Sequence, residues 1–115
     1  MNIIVREAPQ NPDVVLVNLE GRLDANPSEE VEASLMKLIK QNKKKIILNL
    51  DRIDYLGSSG IKVFLSIKRE LSAQGGDLRL LKMSSTGKKI LKAMEIDSLF
   101  EIFDDEKKAI KSFDQ

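Results

Sequence analysis

The chain has 115 residues and a net charge of +1, with acidic and basic residues spread along its whole length. A chain of this length can bury roughly two-thirds of its extended surface without disulfides, so we expect residues 1–115 to form a single domain. The balanced charge and the few aromatic residues argue against a direct nucleic-acid contact. Without cysteine or histidine, the chain has no thiol chemistry, no Ser-His triad and no histidine general base.

The sequence also predicts a cytoplasmic location. It contains no apolar run as long as a membrane span, and its amino end has no signal-peptide core. The absence of cysteine fits a reducing compartment. We therefore expect no contact with a membrane.

The first predicted elements are two strands. Residues 2–8 are typical of an edge strand, because charged residues interrupt the apolar ones. Residues 9–13 contain two prolines and predict a turn. Residues 14–19 predict a second strand that pairs with the first as a hairpin, after which residues 21–25 are expected to leave the sheet.

A helix is predicted next. Asn26 can act as its N-cap, Pro27 suits the first helical position, and Glu29 completes the spacing of a capping box. The apolar residues that follow have helical spacing; they are Val31, Leu35, Leu38 and Ile39.

The most informative segment comes after this helix. Residues 45–50 are too apolar for a solvated strand, so we expect a buried, central one. A polar corner with Asp51 and Asp54 is expected to follow it, and a helix to begin after Gly57 and extend to about residue 74. Two serines therefore lie where the carboxyl end of a strand meets the amino end of a helix, the rim at which open α/β sheets bind ligands and partners. Capping explains one of these serines and leaves the other unexplained.

The remaining sequence repeats the strand–helix alternation. Residues 77–82 predict a short strand, and Ser84 or Ser85 can cap a third helix. Residues 96–103 include a candidate edge strand, and a last helix is predicted to begin at residues 104–106. The predicted fold is α/β, with a mixed sheet, an amino-terminal hairpin and about four covering helices.

Three segments resemble one family. Residues 50–61, LDRIDYLGSSGI, are similar to the signature of STAS domains, particularly of bacterial anti-sigma factor antagonists. Residues 21–24 resemble the loop after the second strand of that family, and residues 99–109 resemble its carboxyl-terminal pattern. The resemblance extends over essentially the full chain and implies the STAS fold.

The resemblance also implies a function without catalysis. The expected partners are an anti-sigma factor with serine kinase activity and a metal-dependent serine phosphatase that resets the switch. Ser58 corresponds to the phosphorylated serine of the family, and Ser59 is the second choice. We expect no cofactor, no metal and a monomeric free protein. The implied partner-binding residues are Asp24, Asp54, Gly57, Ser58, Ser59 and Gly60.

One residue departs from the family pattern, and it keeps other interpretations open. Gly57 stands where the family most often has aspartate. The chain could therefore be a STAS domain that is not phosphorylated and acts as a structural or ligand-binding regulatory subunit. A small serine or carboxylate enzyme is disfavoured because histidine is absent. Asp24, Asp51 and Asp54 could in principle bind a metal, but solvated loop charges explain them better.

Overall fold

The computed structural model describes residues 1–114. Within these residues five strands alternate with four α-helices and one turn of 3₁₀ helix, in the order expected from the sequence. The strands are β1 (Asn2–Glu7), β2 (Val14–Leu23), β3 (Lys45–Leu56), β4 (Asp77–Leu81) and β5 (Ile102–Phe103). The helices are α1 (Ala25–Lys40), α2 (Ser58–Ala73), α3 (Ser85–Ala93) and α4 (Glu106–Lys111), with the 3₁₀ turn at Asp97–Leu99.

The strands form one mixed sheet in the order β1-β2-β3-β4-β5. β1 pairs antiparallel with β2, and the other neighbouring strands are parallel. The predicted α/β fold, the amino-terminal hairpin and the two edge strands are therefore confirmed. β3 is the central strand, and Ile46, Ile47 and Leu48 are completely buried in it, as predicted.

Helices cover both faces of the sheet. The larger core lies between one face and the apolar sides of α1, α2 and α3, with Val31, Phe64 and Leu91 among its members. The smaller core lies on the opposite face, where Ile110 of α4 packs with Ile47. Burial on both faces explains why β3 begins as a continuous apolar run.

Arg79 of β4 attaches α4 to the sheet. Its Nε lies 3.0 Å from an oxygen of Asp77 and 2.8 Å from one of Glu101. Its Nη1 donates to Ser112 Oγ at 2.6 Å, and its guanidinium lies 4.0 Å from the centre of the Phe113 ring. One side chain thus joins β4 to the segments before and after α4.

Two strands are longer than the sequence predicted. Residues 21–23 stay in β2 instead of leaving the sheet, and the expected corner containing Asp51 and Asp54 is the second half of β3. β2 and β3 remain paired to Leu23 and Leu56 through two register shifts, whereas β4 pairs with β3 only as far as Asn49. The second half of β3 thus has a strand neighbour on one side only. Its acidic side chains stay exposed to water, which is why polarity did not end the strand.

The predicted start of α1 was wrong. The N-cap is Asp24, so Asn26 and Pro27 lie inside the first turn, and the capping box of Asn26 and Glu29 is not formed. Proline lacks an amide hydrogen that the first turn does not use, so it is tolerated at more than one position there. Proline alone therefore did not fix the first residue of the helix.

Three other predicted helix boundaries are confirmed, namely the end of α2 and the starts of α3 and α4. Gly75, with φ +80°, follows α2 in the left-handed conformation that glycine favours. Ser84 caps α3, because its Oγ accepts a hydrogen bond from the Gly87 amide at 3.0 Å. Asp105 caps α4 in the same way through the Lys108 amide.

Candidate functional site

The two serines open α2 at the carboxyl end of the central strand. β3 ends at Leu56, Gly57 is the N-cap residue, and Ser58 and Ser59 are the first two helical residues. The expectation that capping explains one of the serines was wrong, because neither is the N-cap residue and no side chain within residues 1–114 caps this helix start. The Gly57 amide donates to Leu23 O at 3.1 Å, which ties the start of α2 to the end of β2. Ser58 is exposed and Ser59 is half-buried, so Ser58 is the more accessible hydroxyl.

A groove of about 450 Å³ lies beside Ser58. Its apolar lining includes Leu50, Met83 and Ile90. Its polar lining comes from Asp54 and Ser58 on one side and from the start of α3 on the other. The polar residues from α3 and its cap are Ser84 and Thr86. The groove therefore joins the start of α2 to the start of α3.

Gly60 brings α2 close to the ends of β2 and β3. It is buried, and a Cβ atom on it would lie 2.9 Å from Leu56 Cδ1 and 3.1 Å from Leu23 Cδ2. A side chain at this position would push the first turn of the helix away from the sheet. Gly60 thus positions the serines by its small size.

A tyrosine lies across the residue that departs from the family pattern. A Cβ atom on Gly57 would lie 3.0 Å from Tyr55 Cε2 and 3.2 Å from the Tyr55 hydroxyl oxygen. The Arg22 guanidinium lies 4.6 Å from the centre of the Tyr55 ring, a cation–π arrangement. Arg22 Nε is also 3.7 Å from a carboxylate oxygen of Asp24. Because glycine has no side chain, the tyrosine ring can lie against position 57.

The structure brings most of the predicted site residues to one end of the sheet. Asp54 and Ser58 line the same groove, and Asp24 follows Leu23, whose carbonyl contacts Gly57. Tyr55 stands next to Asp54 in β3, and Arg22 links its ring to Asp24. Gly60 and Ser59 are less exposed than Ser58. Asp51 lines a different, small cavity with Asn18 and Asn49.

Sequence reasoning missed Arg22 and Tyr55. Their contact follows from the register of the parallel strands, in which Arg22 is opposite Tyr55. That register could not be predicted while β2 and β3 were expected to end earlier. The one available signal was the lone tyrosine of the chain, three residues before Ser58 in the signature segment.

The described residues contain no group of three acidic side chains that could hold a metal ion. Asp24, Asp51 and Asp54 therefore do not form such a group. Within residues 1–114 no helix combines the length and apolar character needed to cross a membrane.

Comparisons with known proteins agree with this geometry. The family model of the STAS domain matches residues 6–109, and the chain belongs to the STAS domain family. It is 29% identical over 104 residues to the anti-sigma-B factor antagonist of Bacillus subtilis (strain 168), covering 90% of this chain and 91% of that protein. It is 34% identical over 79 residues to the anti-sigma F factor antagonist of Lysinibacillus sphaericus, covering 68% of each protein.

Solved structures show the same fold. The unphosphorylated form of the anti-sigma factor antagonist SpoIIAA superposes with a TM-score of 0.81 at 27% identity, covering 96% of this chain and 95% of that chain. The phosphorylated form of SpoIIAA, described as a Bacillus cell fate determinant, gives a TM-score of 0.76 at 27% identity, covering 96% and 98%.

Proposed function

We propose that this protein is an anti-sigma factor antagonist that binds its partner through the surface around Ser58 and is switched off by phosphorylation of that serine. The observation that carries the proposal is the exposed Ser58 hydroxyl at the first residue of α2. The chain matches two proteins named as anti-sigma factor antagonists, and each match covers more than two thirds of both proteins. A related antagonist of the same fold has been solved in a phosphorylated form, which supports a phosphoryl group in this family.

In this proposal the partner is an anti-sigma factor that is also a serine kinase. It transfers the γ-phosphoryl group of ATP to Ser58 Oγ, and the hydroxyl proton and ADP are released. A metal-dependent phosphatase hydrolyses the ester and restores the hydroxyl. Residues 1–115 act as one cytoplasmic, monomeric STAS domain without cofactor, nucleic acid or membrane contact; Gln115 lies outside the described residues.

Helix electrostatics explain why the modified protein stays folded. Phosphorylation adds about −1.5 to −2 charges at neutral pH. Ser58 is the first residue of a 16-residue helix, whose amino end carries a partial positive charge that favours an anion. The cost arises in the complex, where a partner that covers this surface removes the water that screens the new charge from Asp54 in the same groove. Like charges brought together at an interface cost several kcal/mol.

A second candidate function is a STAS subunit that is not phosphorylated. The observation that favours it is Gly57, which stands before Ser58 where the family most often has aspartate. Such a protein would be a structural or ligand-binding regulatory subunit, and a negative charge at position 58 would not change its binding. The two candidates differ in whether a kinase modifies Ser58 and in whether a negative charge there weakens binding.

The first test is modification. The protein is incubated with ATP and with candidate kinases from the same genome, and its intact mass is measured. We expect the addition of one phosphoryl group, its loss in Ser58→Ala, and a substantial part retained in Ser59→Ala. A phosphate that maps to Ser59 or elsewhere contradicts the assignment of Ser58.

The second test is binding to the kinase that modifies the protein. We expect Ser58→Ala to bind like the parent, and Ser58→Asp to bind much more weakly while unfolding at nearly the same temperature. Ser66→Asp is the matched control, because Ser66 is also exposed on α2 but lies two turns away from the helix start. If Ser58→Asp binds as tightly as the parent, the charge switch is wrong and the second candidate is favoured.

A further inference from the structure

The environment of Arg22 suggests what happens to a phosphoryl group after it is attached. Arg22 extends from β2 toward Tyr55 on the neighbouring strand, and its side chain is 62% exposed. Tyr55 contacts the Arg22 guanidinium through its ring and reaches the N-cap residue of α2 with its hydroxyl end. The Tyr55 side chain therefore lies close to both the guanidinium and the residue before Ser58.

We propose that Arg22 binds the phosphoryl group of phosphorylated Ser58 and leaves its contact with Asp24 when it does so. This inference rests on the proposed function, because it concerns the state produced by phosphorylation of Ser58. It adds a phosphate-binding residue, and it adds a second change in the partner-facing surface.

The competition between the two anions favours the phosphoryl group. Asp24 offers Arg22 one charge across 3.7 Å, and the Asp24 side chain is 49% exposed, so water screens this pair. A phosphoryl group offers nearly two charges and three acceptor oxygens, which a planar guanidinium can contact with two parallel hydrogen bonds. In the unmodified protein the ring of Tyr55 holds the Arg22 guanidinium near the helix start, so Tyr55 is a positioning residue.

Other charged groups border the same site. Asp54 lies in the groove with Ser58 and repels the phosphoryl group. Lys62 is exposed on α2 four residues after Ser58, the spacing at which helical side chains can pair. On α3, Lys88 contacts Asp104 at 3.6 Å, in a pair that water screens as it screens Arg22 and Asp24. Lys62 is the competing cation on the helix that carries Ser58.

Movement of Arg22 would extend the effect of one modification beyond position 58. The phosphoryl group adds negative charge at position 58, and Asp24 loses the cation that is paired with it. The exposed face of Tyr55 also loses its guanidinium cover. A partner that fits the unmodified surface would therefore meet changed charge on both sides of Tyr55.

The test uses the full chain with phosphoserine incorporated at position 58 during synthesis, so that no kinase is needed. The second ionisation of the phosphoserine, whose free pKa is about 6, is followed by phosphorus NMR in the parent, Arg22→Gln, Arg22→Lys and Lys62→Gln proteins. We expect the lowest phosphoserine pKa in the parent and a clear rise of that pKa in Arg22→Gln. Arg22→Lys should give a partial rise, because lysine keeps the charge but cannot make the two parallel hydrogen bonds of a guanidinium. Lys62→Gln should give a smaller rise than Arg22→Gln. The fluorescence of Tyr55, the one tyrosine in a chain without tryptophan, provides a second measurement. It should change on phosphorylation in the parent and less in Arg22→Gln.

Equal titration of the parent and Arg22→Gln would overturn the proposal, and so would a larger effect of Lys62→Gln. All four proteins should unfold at similar temperatures, because both substituted side chains are exposed. Because the phosphoserine is supplied during synthesis, a failure of the kinase to modify Ser58 counts against the proposed function and does not affect this result.

Discussion

Replacement of Gly60 by alanine tests whether close packing places the serines. The added methyl group would lie 2.9 Å from Leu56 Cδ1, 3.1 Å from Leu23 Cδ2 and 3.3 Å from Leu23 Cβ. Leu23 is completely buried and its Cβ is fixed to the backbone, whereas Leu56 lines the groove and can turn toward it. The substitution therefore displaces the helix start or the end of β2.

The magnitude follows from two opposed effects. Overpacking in a well-packed core costs about 1–3 kcal/mol. Alanine is favoured over glycine in a helix by about 1 kcal/mol, which offsets part of that cost. We expect a net loss near 1 kcal/mol in the free energy of unfolding, or about 4 °C in Tm for a domain of this size.

Gly57→Ser is the matched control, because it also adds a Cβ atom and serine is a favoured N-cap residue. The atoms within reach of that Cβ all belong to the outer part of Tyr55, a residue with 45% exposure that can move into solvent. Urea unfolding should show a lower midpoint for Gly60→Ala, an unchanged slope, and a midpoint at or above that of the parent for Gly57→Ser. A Gly60→Ala protein as stable as the parent would refute the packing argument. Equal destabilisation by both substitutions would refute it as well.

Two further predictions concern the supports of the site. Ser84→Ala removes the hydroxyl that caps α3 and should lower the free energy of unfolding by about 1 kcal/mol in urea, whereas Ser85→Ala should change it little; equal midpoints would contradict the cap. Arg79→Lys keeps the charge but cannot reach Asp77, Glu101 and Ser112 together, so we expect a loss of about 2 kcal/mol and faster amide exchange in α4; unchanged exchange there would show that Arg79 does not hold α4.

The sequence predicted the fold because its apolar patterns are strong. The continuous apolar start of β3 identified the central strand, and helical spacing located α1 and α2. The serine that caps α3 was also visible, since serine is preferred at helix starts, and the acidic residues 104–106 located the start of α4.

Element ends were less predictable, because they depend on what lies beside them. Asp51 and Asp54 suggested a corner, yet they remain in β3 because β2 continues beside them. The pairing of Arg22 with Tyr55 depends on that same continuation. At the site, the position of Ser58 was predicted correctly, but the tyrosine beside it requires the strand register.

The unequal lengths of β3 and β4 determine the shape of the groove. β3 has 12 residues and β4 has 5, so the central strand continues past the end of its neighbour. The start of α3 occupies part of the space beside that extension, and the groove is what remains. The depth of the groove can therefore change by lengthening or shortening β4 alone, without altering Ser58 or the helix that carries it. Two STAS domains could in this way present the same serine in cavities of different depth and so select different partners.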